Sequence, residues 1–216
     1  MNTFLTLALI ASLFATLPAQ AQHSMHAASS AQPAASVSAA PQLQATLRGL
    51  WRGHVAQTRA YALAVHAGKL RAAQKAEADV IANAKQIADA VGGFYGDAAG
   101  ERMLSLLAGH WGAVKEMTQA TKRKDSVGNA KALETLTANA REIAKFLSGA
   151  NPYLPDDAVF GLLAAHGAHH ATQITQIMRR EMKAEASTRA AMEKHMDTIA
   201  DALAQALARQ FPTKAH

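Results

Sequence analysis

Three histidines recur along the chain at a constant 56-residue interval, and their side chains are the ones most able to do chemistry. They are His54, His110 and His166. Neutral imidazoles are good ligands for zinc, copper, iron and nickel ions. If the three segments pack around a pseudo-threefold axis, their imidazoles can converge. The spacing then predicts a transition-metal site. A leucine stands four positions before each histidine: Leu50, Leu106 and Leu162.

Two further histidines are candidate ligands of the same site. His170 lies one helical turn beyond His166, so the two can chelate an ion as an i, i+4 pair. His195 follows Asn139 at the same interval and is expected next to the core face of the last helix. A ligating imidazole usually donates its second N–H to a neighbouring polar group. The side chains predicted to accept that hydrogen bond are Asn83, Asn139, Glu142, Asp89 and Asp201.

The same pattern also allows a purely structural interpretation. A buried imidazole without a hydrogen-bond partner costs roughly 1–3 kcal/mol. Each histidine could meet this requirement separately, by bonding to a neighbour such as Asn83 or Asn139. Triplication of one ancestral hairpin would then explain their spacing without any ion. From the sequence alone, a shared metal centre and three separate structural histidines both remain open.

A second, independent candidate metal site lies near the N-terminus. His23, Met25 and His26 stand close together in the sequence. Imidazole together with thioether suits copper, the thioether favouring Cu(I). A chance occurrence of histidine in a segment of low complexity is the alternative.

Residues 1–41 are predicted to lie outside the folded domain. Residues 4–17 form an apolar run too short to span a bilayer. Ala19-Gln20-Ala21 matches an A-x-A cleavage site, so residues 1–21 are interpreted as a signal peptide. Residues 22–41 are rich in Ala, Ser, Gln and Pro, which predicts a flexible tail. The mature protein is therefore expected in the periplasm or outside the cell, with residues 42–216 as its domain.

Composition and motifs exclude several classes of function. The chain has no cysteine, so disulfides and thiolate metal sites are absent. Its net charge is +6, but the basic residues are scattered, which indicates a solvated surface and no nucleic-acid partner. No later segment is apolar enough for a membrane span. We find no glycine-rich phosphate loop and no G-x-S-x-G, so no catalytic residue is predicted. A metal-binding protein is favoured, and the alternatives are a structural or partner-binding bundle without a ligand and a metal-assisted enzyme of unknown substrate. The oligomeric state is left open.

The elements that must position the histidines are helices. Apolar residues recur at helical spacing through the chain, and no segment is predicted to form a strand. Residues 83–88 also match residues 139–144 at the 56-residue interval. We therefore predict an all-α bundle of about six helices, built from three αα-hairpin repeats. The expected helices cover residues 42–67, 71–91, 98–121, a fourth capped by Ser126, a fifth capped by Asp156 or Asp157, and a sixth from about Ser187.

Several short motifs carry a resemblance to a known family. They lie between residues 47 and 205: Leu50-Trp51, His54 and Thr58-Arg59; Phe94-Tyr95-Gly96; Leu106-Leu107 and His110; Asn139-Ala140, Glu142-Ile143-Ala144 and Phe146-Leu147-Ser148; Asn151-Pro152-Tyr153; His166; Ile199-Ala200-Asp201. Together they resemble a family of small bacterial all-helical proteins, some of whose members are labelled glycosyltransferases.

The resemblance implies the same six helices, with His54, His110 and His166 in equivalent positions. Nothing in this sequence predicts the α/β nucleotide-sugar site that a glycosyltransferase would need. The chain differs from the family's expected pattern at His170, in place of threonine, and at Gln173, in place of glutamate. The second difference removes a possible carboxylate ligand from the fifth helix.

Overall fold

The computed structural model describes residues 40–215, and this part of the chain is an all-α bundle without strands. The predicted fold class is therefore confirmed. Six helices follow one another through short turns: α1 (Pro41–His66), α2 (Leu70–Tyr95), α3 (Asp97–Arg123), α4 (Ser126–Ala150), α5 (Asp156–Arg179) and α6 (Met182–Gln210).

The turn chemistry explains where two of the helices begin and end. Asp125, and not the predicted Ser126, caps α4: its Oδ1 accepts a hydrogen bond of 2.8 Å from the backbone N–H of Gly128. The predicted end of the second helix at residue 91 is too early, because α2 continues to Tyr95. It stops at Gly96, whose φ of +92° is strained for other residues.

The last two helices both begin at earlier residues than predicted. Pro155 is the N-cap residue of α5, while Asp156 and Asp157 lie in its first turn. There both carboxylates accept hydrogen bonds from Arg141. Helix α6 begins at Met182 instead of Ser187. This early start places Glu185 inside a helix, where its side chain is buried.

The six helices form a closed ring. Each helix packs against its neighbours in sequence, and α6 returns to pack against α1. The odd-numbered helices α1, α3 and α5 also contact one another, so they line the middle of the bundle. Each of these three helices carries one histidine of the 56-residue series. The arrangement therefore brings the three histidine-bearing helices together.

Polar histidines separate two apolar cores within the bundle. One core includes Leu107 and Leu163, which precede the histidines on their helices, together with much of α6. The other core includes Val114 and Ile174, which follow the histidines. The histidines at positions 54, 110, 166 and 170 are all buried. They lie close to where the residues of one core give way to those of the other along α1, α3 and α5. A layer of imidazoles thus interrupts what would otherwise be one continuous apolar interior.

One side-chain-to-backbone hydrogen bond recurs at the 56-residue interval. The amide Nδ2 of Asn83 donates to the carbonyl of Leu50, at 3.0 Å. Asn139 makes the same bond to Leu106, at 2.9 Å. In the third hairpin His195 replaces asparagine, and its Nε2 donates to the carbonyl of Leu162, at 2.8 Å. These bonds tie each even-numbered helix to the histidine-bearing helix before it.

Glycine next to two of these bonds allows the helices to approach closely. A Cβ at Gly109 would lie 3.0 Å from the Asn139 amide nitrogen, and one at Gly53 would lie 3.2 Å from that of Asn83. Glycine inside a helix normally costs about 0.5–1 kcal/mol relative to alanine. Its presence here is explained by the space that the asparagine amide needs.

Replacing Gly109 with alanine is therefore expected to destabilise a helix that alanine would ordinarily stabilise. Gly112→Ala is the matched control on the same helix, since nothing lies within 4 Å of its added Cβ. The control should raise the free energy of unfolding by about 0.5–1 kcal/mol. The free energy of unfolding of Gly109→Ala should be at least about 1 kcal/mol lower than that of the control, because the added Cβ displaces the Asn139 amide from the carbonyl of Leu106. Urea unfolding of both variants measures the difference; equal values would contradict this role for Gly109.

Candidate metal centre

Four histidine side chains meet in the middle of the bundle. His54 comes from α1, His110 from α3, and His166 and His170 from successive turns of α5. Their six ring-to-ring distances range from 4.4 to 5.7 Å between centroids. One ligand nitrogen from each ring lies within 4.8 Å of the other three. The structure thus brings together the three spaced histidines and the predicted i, i+4 partner.

Three Nε2 atoms converge at hydrogen-bonding distance. His170 Nε2 lies 3.0 Å from His166 Nε2 and 3.4 Å from His54 Nε2. A neutral imidazole has one N–H, so His170 cannot donate to both neighbours through a single nitrogen. Four nitrogens bound tetrahedrally at about 2.0–2.1 Å from an ion would lie about 3.3 Å apart. The two observed separations are close to this value.

Two ring nitrogens of the cluster lack any partner within the described residues. They are His110 Nε2 and His166 Nδ1, and both are buried. An unpaired buried polar atom costs roughly 1–3 kcal/mol. The interpretation in which each histidine is separately satisfied by a neighbour therefore accounts poorly for this cluster. Four imidazoles whose nitrogens lie this close together are instead an arrangement that a bound cation stabilises.

Burial keeps all four imidazoles neutral at neutral pH. Each side chain is less than a tenth exposed. Desolvation, aided by the neighbouring His110, lowers the pKa of His54 to about 3. Desolvation also lowers the pKa of His110 to about 4, against an opposing effect of the Asn139 side chain. The pKa values of His166 and His170 fall well below the ordinary value for the same reason, with the other histidines adding to the shift.

The cluster has no carboxylate partner within residues 40–215. Every ion pair in this part of the chain is formed by arginine or lysine. No acidic group contributes to the pKa shifts of the four rings. The site is thus a set of neutral nitrogen donors in an apolar surrounding. Such a set suits borderline transition-metal ions and not calcium or magnesium, which require oxygen ligands.

His195 lies outside the four-histidine cluster. Its Nε2 is used by the carbonyl of Leu162, and its ring lies 5.5 Å from that of His169. His195 therefore occupies the position that Asn83 and Asn139 hold in the first two hairpins. The structure does not bring it to the other candidate ligands.

The acidic residues considered as partners of the ligands face other groups. Asp201 accepts two hydrogen bonds from Arg48 and one from Gln44. Glu142 pairs with Arg102 and Lys145 at half-exposed positions. Asp89 pairs with Lys85 in the preceding turn of α2. None of these residues reaches the histidines, whereas Asn139 lies near enough to His110 to influence its pKa. The candidate site formed by His23, Met25 and His26 lies outside the described residues.

An ion pair with a buried carboxylate lies one turn beyond His170, and the sequence patterns do not predict it. Both carboxylate oxygens of Glu185 are bound by Arg59, at 2.7 and 3.0 Å. Gln173, one turn beyond His170, donates to the same carboxylate at 2.9 Å. Hydrogen bonding to Arg59 lowers the pKa of Glu185. The predicted last helix begins only after Glu185, which is why its burial gives no recognisable periodic signal.

Comparisons with known proteins found no matching family model, no matching curated protein and no matching solved structure. The resemblance to a family of small bacterial helical proteins therefore stays a prediction from the motifs. In residues 40–215, no helix combines the length and the apolar character needed to cross a lipid bilayer.

Proposed function

We propose that this protein binds one transition-metal ion through His54, His110, His166 and His170. The observation that carries the proposal is the convergence of four buried, neutral imidazole nitrogens within 4.8 Å. Metal binding requires deprotonated ligands. Because burial already keeps these rings neutral, no proton has to leave when an ion enters at neutral pH.

Nitrogen donors alone restrict which ion can bind. Zinc, copper, nickel and iron accept imidazole ligands, and affinity for such sites generally peaks at Cu(II). A copper-related role is therefore our first choice. The predicted signal peptide, residues 1–21, and the histidine- and methionine-containing tail support a periplasmic or secreted copper-binding protein. The signal peptide and the tail are predictions from the sequence that do not depend on the geometry of the bundle.

A titration of metal-free protein tests this function. The mature chain, purified without a histidine tag, is treated with a chelator and titrated separately with Cu(II), Zn(II) and Ni(II). We expect one core ion per chain and a rise in melting temperature. An ion that binds only the native state, at about 1,000 times its Kd, stabilises that state by about 4 kcal/mol. The assay also includes a chain with His23→Ala, Met25→Ala and His26→Ala, which removes the tail site while leaving the bundle unchanged.

The two sites give distinguishable results in this titration. One ion bound equally by the parent chain and by the tail variant assigns binding to the bundle. Binding lost with the tail substitutions assigns it to His23, Met25 and His26 and rejects the core site. Absence of saturable binding and of any thermal shift with all three ions rejects the proposed function.

A further inference from the structure

An apolar cavity lies directly against the histidine cluster. Its volume is about 70 Å³. His54, His110 and His166 form part of its wall, and every other residue that lines it is apolar or aromatic. His170, the fourth member of the cluster, does not line it. The cavity therefore meets the imidazole layer on one side only.

The residues three positions before the histidines form the wall nearest to the cluster. They are Trp51, Leu107 and Leu163, and they belong to the same helices as the three cavity-lining histidines. Trp51 packs edge-on against His54, with ring centroids 6.1 Å apart. Within the described chain its buried indole nitrogen has no hydrogen-bond partner. The wall thus combines bulky apolar groups with three residues, Trp51, His110 and His166, that each carry an unpaired ring nitrogen within the described chain.

The volume and lining restrict what this cavity can hold. A water molecule needs roughly 10–15 Å³ together with two to four polar partners, and dry apolar cavities of about 150 Å³ hold benzene or xenon. A cavity of about 70 Å³ is large enough for a molecule of a few atoms. It is too small for a nucleotide, a sugar or a haem. Away from the three histidines, its wall is apolar and offers little to water or to an ion.

We infer that this cavity binds a small uncharged molecule of the dioxygen class, in contact with the imidazoles of His54, His110 and His166. Its use as a second ligand site of a metal centre rests on the metal binding proposed above. An ion held by the four histidines would have beside it an apolar compartment that three of its four ligands line. Small apolar molecules partition into such compartments, whereas charged solutes are excluded.

Xenon tests the cavity without involving any metal. Metal-free protein labelled with ¹⁵N is exposed to xenon under pressure, and the imidazole signals are followed by NMR. We expect saturable shifts at His54, His110 and His166 and none at His195, which does not line the cavity. Absence of saturable shifts, or equal shifts at His195, overturns the inference.

Two substitutions of Leu163 sharpen the test. Leu163→Phe fills part of the cavity and is expected to abolish saturable xenon binding. Leu163→Ala enlarges the cavity and should strengthen binding, provided that urea unfolding shows the variant to be folded, since such truncations cost about 2–5 kcal/mol. Ile177→Val, in the opposite apolar core, is the control and should leave binding unchanged. Xenon binding that Leu163→Phe does not weaken contradicts this location.

The metal titration and the xenon experiment together distinguish the metal site from the cavity site. Metal bound without xenon overturns the cavity site and leaves the metal site standing. Xenon bound without metal rejects the metal site and shows that the cavity acts independently of it.

Discussion

His166→Leu is expected to abolish core metal binding while leaving the metal-free protein as stable as before. Loss of a residue that merely supports a ligand typically costs about 10–100-fold in metal affinity, so loss of a ligand should cost more than about 100-fold. Leucine fills a similar volume between two apolar cores. It also removes a buried Nδ1 that has no partner in the described chain. His170 Nε2 loses its 3.0 Å contact with His166 Nε2 but keeps the 3.4 Å contact with His54 Nε2, so the free energy of unfolding should stay within about 1 kcal/mol of the parent value.

Loss of metal binding without loss of stability distinguishes a ligand from a structural histidine. Titration with Cu(II) and urea unfolding of the same preparations measure the two quantities. His195→Asn is the matched control, because asparagine makes the equivalent bond at Asn83 and Asn139. The control should keep both metal affinity and stability. A large loss of stability in metal-free His166→Leu would instead assign His166 a structural role and count against the metal site.

Periodicity makes the fold and most of the cluster predictable from the sequence. Apolar residues at helical spacing predict the helices, and the 56-residue interval places His54, His110 and His166 at corresponding points of three of them. The i, i+4 spacing then adds His170. Helix geometry fixes these relations locally, so they are readable without knowing any long-range contact.

The remaining parts of the site depend on how helices rotate and where they begin. His195 follows Asn139 at the 56-residue interval and makes the equivalent bond, to the carbonyl of Leu162, instead of joining the clustered histidines. Sequence interval alone places Glu142 and Asp201 near the histidines, but they project toward arginines on neighbouring helices. The buried position of Glu185 is also missed, because α6 begins at Met182 and not near Ser187 as predicted. Such features follow from tertiary packing, which one-dimensional spacing does not determine.

The metal-free protein is expected to unfold in mild acid, at about pH 5. All four clustered histidines have pKa values below the ordinary value of 6.5 in the native state. Below pH 6.5 the unfolded chain binds protons at these positions while the native protein does not. Stability is therefore complete above this pH and falls as the pH decreases toward the native values. His54 and His110, with native pKa values of about 3 and about 4, should each remove about 2 kcal/mol by about pH 5, and the lowered pKa values of His166 and His170 act in the same direction.

The losses from His54 and His110, increased by those from His166 and His170, approach the whole stability of a typical domain, about 5–15 kcal/mol. Paired carboxylates such as Glu185 lose protection only below their ordinary pKa of 4.5, so the loss above that pH belongs to histidine. His166→Leu removes one titrating group, so its free energy of unfolding should fall less steeply than that of the parent between about pH 6.5 and pH 5. Urea unfolding in the presence of a chelator, at several pH values, measures the slope for both proteins. Equal slopes for the two proteins would show that His166 is not held neutral. Added Cu(II) should move the unfolding of the parent protein to lower pH, because the ion binds the native state and so stabilises it.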